Sequence, residues 1–467
     1  PNIFAAARLQ LVRIMALGIT GFDSPAAQNS LVEAGYALRG IKECYKIYIK
    51  EKKDSRLLLS IENAEKYLAL HTDFESFDRL EFITKHLNTI YKEAVLFQKQ
   101  TGVGYLSEKQ AIKQDAVNIF SPAAWDPHFF ENFKNVYNPY TKEQAQLGKL
   151  LFFDPVLSNN GQRSCASCHK PENGFSDPNP KSLSLDNKTF IKRNAPSILN
   201  SALQAKMFWD GRLFFLEDQV NDVVFSTSEL HGDFKEIAVR LRKSDEYKKL
   251  FARAFPKTAD SNITNYAIIK AISEYERTLI SFNSRFDQYV RGDKKAMNKS
   301  EIRGFNIFAG KGLCATCHFI PVFNGTVPPL YLEGELEVLG VPEDPKASKL
   351  KLDNDLGRAE MTGIKWQNGS FKTPTVRNIA LTAPYMHNGA FKTLEEVVDF
   401  YNKGGGRGLG LDVPNQTLPF DHLNLTKQEQ SDLVAFMKTL TDTSGLTGRP
   451  VKLPDMEGVS RKVGGLY

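Results

Sequence analysis

Apolar residues return every three to four positions in several stretches of the chain, which is the signature of amphipathic helices. Leu31, Ala34, Leu38, Ile41 and Tyr45 form one stripe, and Leu80, Ile83, Leu87, Ile90 and Ala94 form another. Few Gly or Pro interrupt the region from Leu31 to Lys99, so residues 1–118 are expected to fold as an antiparallel bundle of three to four helices. A docking or spacer module is the plain reading of that bundle. A Pro-bearing linker follows, with Ser121-Pro122 and Asn138-Pro139. The segments Thr141 to Phe153 and Ser300 to Phe308 each read as a helix that leads into a Cys-bearing segment. The stretch from Phe319 to Phe371, rich in Pro, Gly, Asp and Lys, reads as a long irregular excursion. The last clear helix is Thr426 to Thr439, with Leu433, Phe436, Met437 and Leu440 as its stripe. The second half repeats the plan of the first, so two similar domains are expected, over 135–298 and 299–450.

Composition narrows this only slightly. The 467 residues suit two to four domains, and 42% hydrophobic with 24% charged residues is ordinary for a globular protein. The net charge of +6 is spread out, with no long basic block to follow a phosphate backbone, so nucleic acid is not expected as a partner. The apolar stretch from Ile14 to Phe22 is too short to span a bilayer and is interrupted by Gly18 and Gly21. No complete signal peptide is visible, and a start at Pro1 fits a processed product that could have carried an anchoring segment ahead of it.

Four of the five cysteines carry the chemistry. Cys165-Ala-Ser-Cys168-His169 and Cys314-Ala-Thr-Cys317-His318 are two copies of C-x-x-C-H, the pattern of covalent c-type haem attachment. In a helical turn, positions i, i+3 and i+4 share a face, so two thiols can hold one porphyrin edge while the imidazole ligates the iron. A zinc site split between the motifs would have to join them across about 145 residues, and would leave the two histidines unexplained. A thioredoxin-like dithiol lacks its βαβ surroundings. The expected fold is therefore mainly α, with two cytochrome c-like haem domains after an N-terminal helical bundle. Attachment of this kind occurs outside the cytoplasm, so a periplasmic or otherwise exported protein is expected. Cys44 stands apart and reads as a buried, unreactive thiol on a helix.

Three further segments, Lys192-Arg-Asn-Ala-Pro-Ser197, Phe208-Trp-Asp-Gly-Arg212 and Leu381-Thr-Ala-Pro-Tyr-Met-His-Asn-Gly389, resemble those of the bacterial di-haem cytochrome c peroxidase and MauG family. The resemblance runs from about Gln144 to Thr441 and leaves the N-terminal bundle outside. It implies that Trp209 lies between the haems and that Gln219 and Glu229 line the peroxide pocket at the first haem. It also implies an inter-haem calcium ion held by Asn194, Thr382 and Pro384. The chemistry agrees. Splitting a peroxide needs a base to take one proton and an acid to return it, and one carboxylate can do both. A partly apolar pocket should raise its pKa, with Phe225 and Leu230 as walls.

Two ligand expectations follow. Many of these peroxidases cap the resting first iron with a His on the loop after the first motif, but Lys170 to Arg193 contains none. The first haem is therefore expected to be open or water-ligated. On the second haem the resemblance puts the distal ligand fourteen residues after His387, at Tyr401, with Met386 as the rival. Tyr401 falls on the stripe of Leu394, Val397 and Val398, behind a Thr393/Glu396 capping box and before Gly404-Gly-Gly406. The leading function is reduction of hydrogen peroxide, with electrons from a small periplasmic donor such as a cytochrome c or cupredoxin relayed from the second haem to the first. The alternatives are MauG-like oxidation of a partner protein's side chains through high-valent haem iron, and a non-catalytic di-haem electron carrier. A homodimer is left open.

Overall fold

The computed structural model describes residues 1–49, 55–132, 140–256, 262–419, 421–444, 446 and 448–466. It is mainly helical. Asn138-Pro139 of the expected linker lies outside the described residues, whereas Pro122 opens a short turn, Pro122–Ala124.

Four helical stretches precede that turn. The first, Asn2–Arg13, runs on without a break through Ile14–Gly18, and the others are Ser30–Lys46, Arg56–Leu70 and a continuous run from Arg79 to Thr101. The two expected stripes face inward: Leu31, Ala34, Leu38, Ile41 and Tyr45 are buried, as are Leu80, Ile83, Leu87, Ile90 and Ala94. Cys44 lies on the helix Ser30–Lys46 but is exposed rather than buried, because it falls off the stripe of Ile41 and Tyr45. Their core does not end with them. One continuous apolar cluster joins Phe4, Leu38 and Ile90 to Phe305, Phe323 and Phe436 of the second haem half. Phe22 meets Phe319 edge-on at 5.3 Å, and the Asn306 side chain accepts from Leu80 N and donates to Asp78, both at 3.0 Å. The first haem half has its own cluster, around Leu151, Phe152, Ile268 and Tyr275.

The two halves are built around the same crossing. Lys142–Phe153 packs on Asn265–Arg277, and Lys299–Ala309 packs on Lys427–Thr439. At each crossing a glycine lets the backbones touch. A Cβ on Gly148 would stand 1.7 Å from Ala271 O, and one on Gly304 would stand 2.0 Å from Asp432 O. Local chemistry fixes where these helices begin. Thr141/Gln144, Asn298/Glu301 and Thr426/Glu429 each form a capping box that satisfies backbone N–H groups at the first turn. Between the halves Arg377 is fully buried, paired with both oxygens of Asp287 at 2.8 and 2.9 Å and donating to Pro321 O. The long excursion holds one short antiparallel pair, Leu336–Val338 with Ser370–Lys372, in which Leu336 faces Lys372. Among the described residues, no helix is long and apolar enough to cross a membrane.

Candidate active site

Each C-x-x-C-H motif folds as one tight turn. Cys165–Ser167 and Cys314–Thr316 are 3-10 turns. The next bonds run from His169 N to Cys165 O at 3.0 Å and from His318 N to Cys314 O at 2.9 Å. That span is one helical turn, so the first cysteine and the histidine share a face. None of the four motif cysteines is paired in a disulfide, so each sulfur is available for a thioether. Each imidazole donates Nδ1–H to a backbone carbonyl, His169 to Phe175 at 3.1 Å and His318 to Pro374 at 2.9 Å. A carbonyl can only accept, so this fixes the tautomer and leaves Nε2 as the ligand atom. Burial pushes the His318 pKa down to about 4 and lowers that of His169, which keeps both rings in the neutral, metal-binding form. The donor set therefore suits c-type haem at both motifs.

The spaces beside the two histidines differ. A cavity of about 1310 Å³ opens at His318, lined by Cys314, Cys317, Met386 and Tyr401. Tyr401 sits on Leu394–Asn402, behind the expected Thr393/Glu396 capping box. Burial, and then the neighbouring Cys317 and Cys314, push its phenol well above the usual range. Met386 packs in the same small cluster as Tyr401, so both expected rivals stand at this cavity. Around His169 the side chains close in to about 40 Å³. There the site is marked by its donors and by Gln219 Oε1, a buried oxygen without a hydrogen-bond partner among the described residues.

Gln219 and Glu229 reach this first pocket from two different elements. Gln219, Val220, Val223 and Val224 line it from the helix Leu216–Phe225, and Glu229 and Leu230 line it from the turn that follows. That turn is tied back by Glu229 N and His231 N, which both donate to Ser226 O. Burial is the largest influence on Glu229 and pushes its pKa up to about 7, against the opposing pull of Arg212. Phe225 does not wall the pocket as expected. It lies about 100° around the helix from Val224, is half exposed, and packs on Phe234 instead. Apart from His169, no His, Met or Tyr lines this pocket among the described residues.

Trp209, Asn194, Thr382 and Pro384 all line the larger cavity. Trp209 Nε1 donates to Asn194 O at 2.8 Å, and Asn194 N donates to His387 O at 2.7 Å, so the three resembling segments are stitched to one another. Arg193 clamps the same region through Asp210 and Asp355. Among the described residues no cluster of three or more His, Cys, Asp or Glu could hold a metal ion. A cation near Asn194 would have amide, hydroxyl and carbonyl oxygens for ligands, a hard set that suits calcium.

Glu276 and Lys372 are among the buried charged groups at these cavities that were not singled out from the sequence. Glu276 lines the first pocket, and burial pushes its pKa up to about 8. Lys372 lines the second cavity. Glu276 had a sequence signal, since Ala267 to Arg277 is apolar on too many faces for a surface helix, and every residue of it is buried. Lys372 had none.

The comparisons agree with this architecture. A model of the di-haem cytochrome c peroxidase family matches residues 142–295. Cytochrome-c peroxidase IdrP1 of Denitromonas iodatirespirans is 36% identical over 341 residues, 68% of this chain and 86% of that protein. Methylamine utilization protein MauG of Methylorubrum extorquens is 34% identical, over 65% of this chain and 79% of that protein. Cytochrome c551 peroxidase of Nitrosomonas europaea is 35% identical, over 65% and 81%. Among solved structures, a MauG-like protein associated with microbial copper homeostasis aligns with a TM-score of 0.58 at 33% identity, over 67% of this chain and 93% of that one. With paired attachment motifs on a duplicated helical frame and relatives matched over most of their own length, the chain belongs to the di-haem cytochrome c peroxidase family and is an oxidoreductase of the peroxidase type.

Proposed function

We propose that this protein reduces hydrogen peroxide to water in the pocket beside His169, using electrons that enter at the His318 haem and pass Trp209. The haem iron, when bound, supplies the electrons that split the O–O bond. Glu229 takes the proton from one peroxide oxygen and returns it to the other, which leaves as water. Gln219 orients the peroxide through its side-chain amide, and Leu230 with the valines of its helix keeps the pocket apolar. The overall balance is one peroxide, two protons and two electrons to two waters. The observation that carries this reading is a carboxyl with a pKa near 7 in the same pocket as His169 and an unpartnered amide oxygen. A carboxyl poised there can be base and acid in one cycle. Trp209, held by Asn194 O, is an oxidisable ring at the cavity wall and suits electron relay.

The absence of a His in Lys170 to Arg193 favours a first iron with an open or water-ligated side. Tyr401 is our choice for the distal ligand of the second iron, with Met386 as the alternative; a phenolate would lower that iron's potential and a thioether would raise it. Calcium is assigned to Asn194, Thr382 and Pro384. Attachment chemistry supports a location outside the cytoplasm, and a small periplasmic cytochrome c or cupredoxin is the donor we propose. Tyr401 also favours a second reading, oxidation of a partner protein's side chains, in which peroxide is spent without a reduced donor. Steady-state peroxide consumption with a reduced cytochrome or dye separates the readings. Turnover matched by donor oxidation supports the first, and peroxide consumption that needs a protein co-substrate supports the second. A preparation with both haems attached and no peroxide consumption leaves only an electron carrier.

A further inference from the structure

Among the described residues, Lys372 is the buried cation at the second cavity that has no carboxylate partner. It ends the strand Ser370–Lys372, and its backbone N donates to Trp209 O at 2.6 Å, which ties it to another residue of the cavity wall. The residue is 8% exposed. Its ammonium donates to Gln204 Oε1 at 2.5 Å, and among the described residues no carboxylate forms an ion pair with it. Arg79, also buried, is answered by the carbonyls of Ile19, Phe77 and Phe74, and several other cations by carboxylates. Arg377 has Asp287, Arg193 has Asp210 and Asp355, and Lys270 has Glu131 and Glu274. A buried charge without a counter-charge is costly, and an ammonium has three hydrogens to place. Burial alone pulls the Lys372 pKa down to about 8. The missing counter-charge has room to enter, because Lys372, Gln204, Trp209 and His318 line one cavity.

We propose that Lys372, with Gln204, anchors a propionate carboxylate of the second haem and that its charge helps to set that haem's reduction potential. This rests on haem filling the cavity at His318, which the absorption spectrum of the same sample reports independently. The carboxylate supplies the counter-charge and accepts the remaining ammonium hydrogens. Because the strand also holds Trp209 O, the anchored edge is kept beside the relay ring. A cation paired with a propionate screens negative charge near the iron, and losing it stabilises the ferric state.

The test is a spectroelectrochemical titration of the holoprotein and of Lys372→Met, Lys372→Gln and Lys372→Arg. With both haems attached, the Met and Gln variants should lower the potential of the second haem, while Arg should hold it near the parent value. Gln keeps a hydrogen bond to Gln204 without the charge, so it separates charge from packing even if Met perturbs the fold. Parent-like potentials in the Met and Gln variants would overturn the proposal. So would an Arg variant that falls as far as they do, because the residue would then act by shape. Peroxide turnover is not part of the readout, so a failure of the catalytic reading leaves this test intact.

Discussion

Replacing Glu229 by Gln keeps the shape of the side chain and removes the base. Mutational losses of a positioned general acid–base group run to about 10²–10⁴-fold, or roughly 3–5 kcal/mol of barrier. The structure adds a pH signature to that loss. With a pKa of about 7, half of the Glu229 carboxyls are ionised at neutral pH. Only the ionised form can take a proton from incoming peroxide, so kcat/KM for peroxide should rise with pH through about 7 and level off above it. Two pH units below the pKa roughly one enzyme in a hundred is ready, so the rate there should be about 100-fold under the plateau. The assay is stopped-flow reaction of the fully oxidised protein with peroxide from pH 5 to pH 9. In Glu229→Gln the plateau should fall by at least about 100-fold and the inflection near 7 should vanish. A bend near 8 that survives would belong to Glu276, which shares the pocket. If the variant keeps the parental rate with the same inflection, Glu229 is not the proton carrier.

Other consequences are structural. Gly148→Ala should force the helices Lys142–Phe153 and Asn265–Arg277 apart, because its Cβ would stand 1.7 Å from Ala271 O. A loss of about 1–3 kcal/mol or more is expected in thermal unfolding; an unchanged melting temperature would contradict the close crossing. Arg377→Met strands the buried Asp287 carboxylate and should cost about 3–5 kcal/mol, read by denaturant unfolding. Chelation of calcium should slow electron transfer between the haems and leave both covalently attached, which flash or stopped-flow reduction can follow; unchanged transfer after verified metal removal would count against the site at Asn194, Thr382 and Pro384.

The chemistry of this protein was legible wherever it depends on local sequence. The two attachment motifs need only a turn of five residues, and the helices before them announce themselves by capping boxes such as Thr141/Gln144. Tyr401 could be placed on a helix face because Thr393, Glu396 and Gly404 bracket a short regular element. What was not legible depends on distant neighbours. Within the helical bundle the helix Asn2–Arg13 was not delimited, because Ile3, Ala6 and Leu9 add apolar residues beside its buried stripe of Phe4, Ala7, Arg8, Leu11 and Val12. The bundle reads from sequence as a separate module, yet contacts such as Phe22 with Phe319 fuse its core to that of the second haem half. Phe225 was expected in the pocket on its apolarity alone, and one residue of helical rotation takes it out. Lys372 is the extreme case. Lysine is normally exposed, and only a strand pairing set by Leu336 carries this one inside.

Electron paramagnetic resonance of the as-isolated ferric protein reports directly on whether the iron at His169 has a free side. One high-spin and one low-spin haem are expected, the first from an iron with a single protein ligand and the second from an iron with two. Two low-spin signals, with that of the His169 haem still low-spin after the second haem is reduced, would mean that a protein side chain caps the first iron, and the pocket of Gln219 and Glu229 could not receive peroxide.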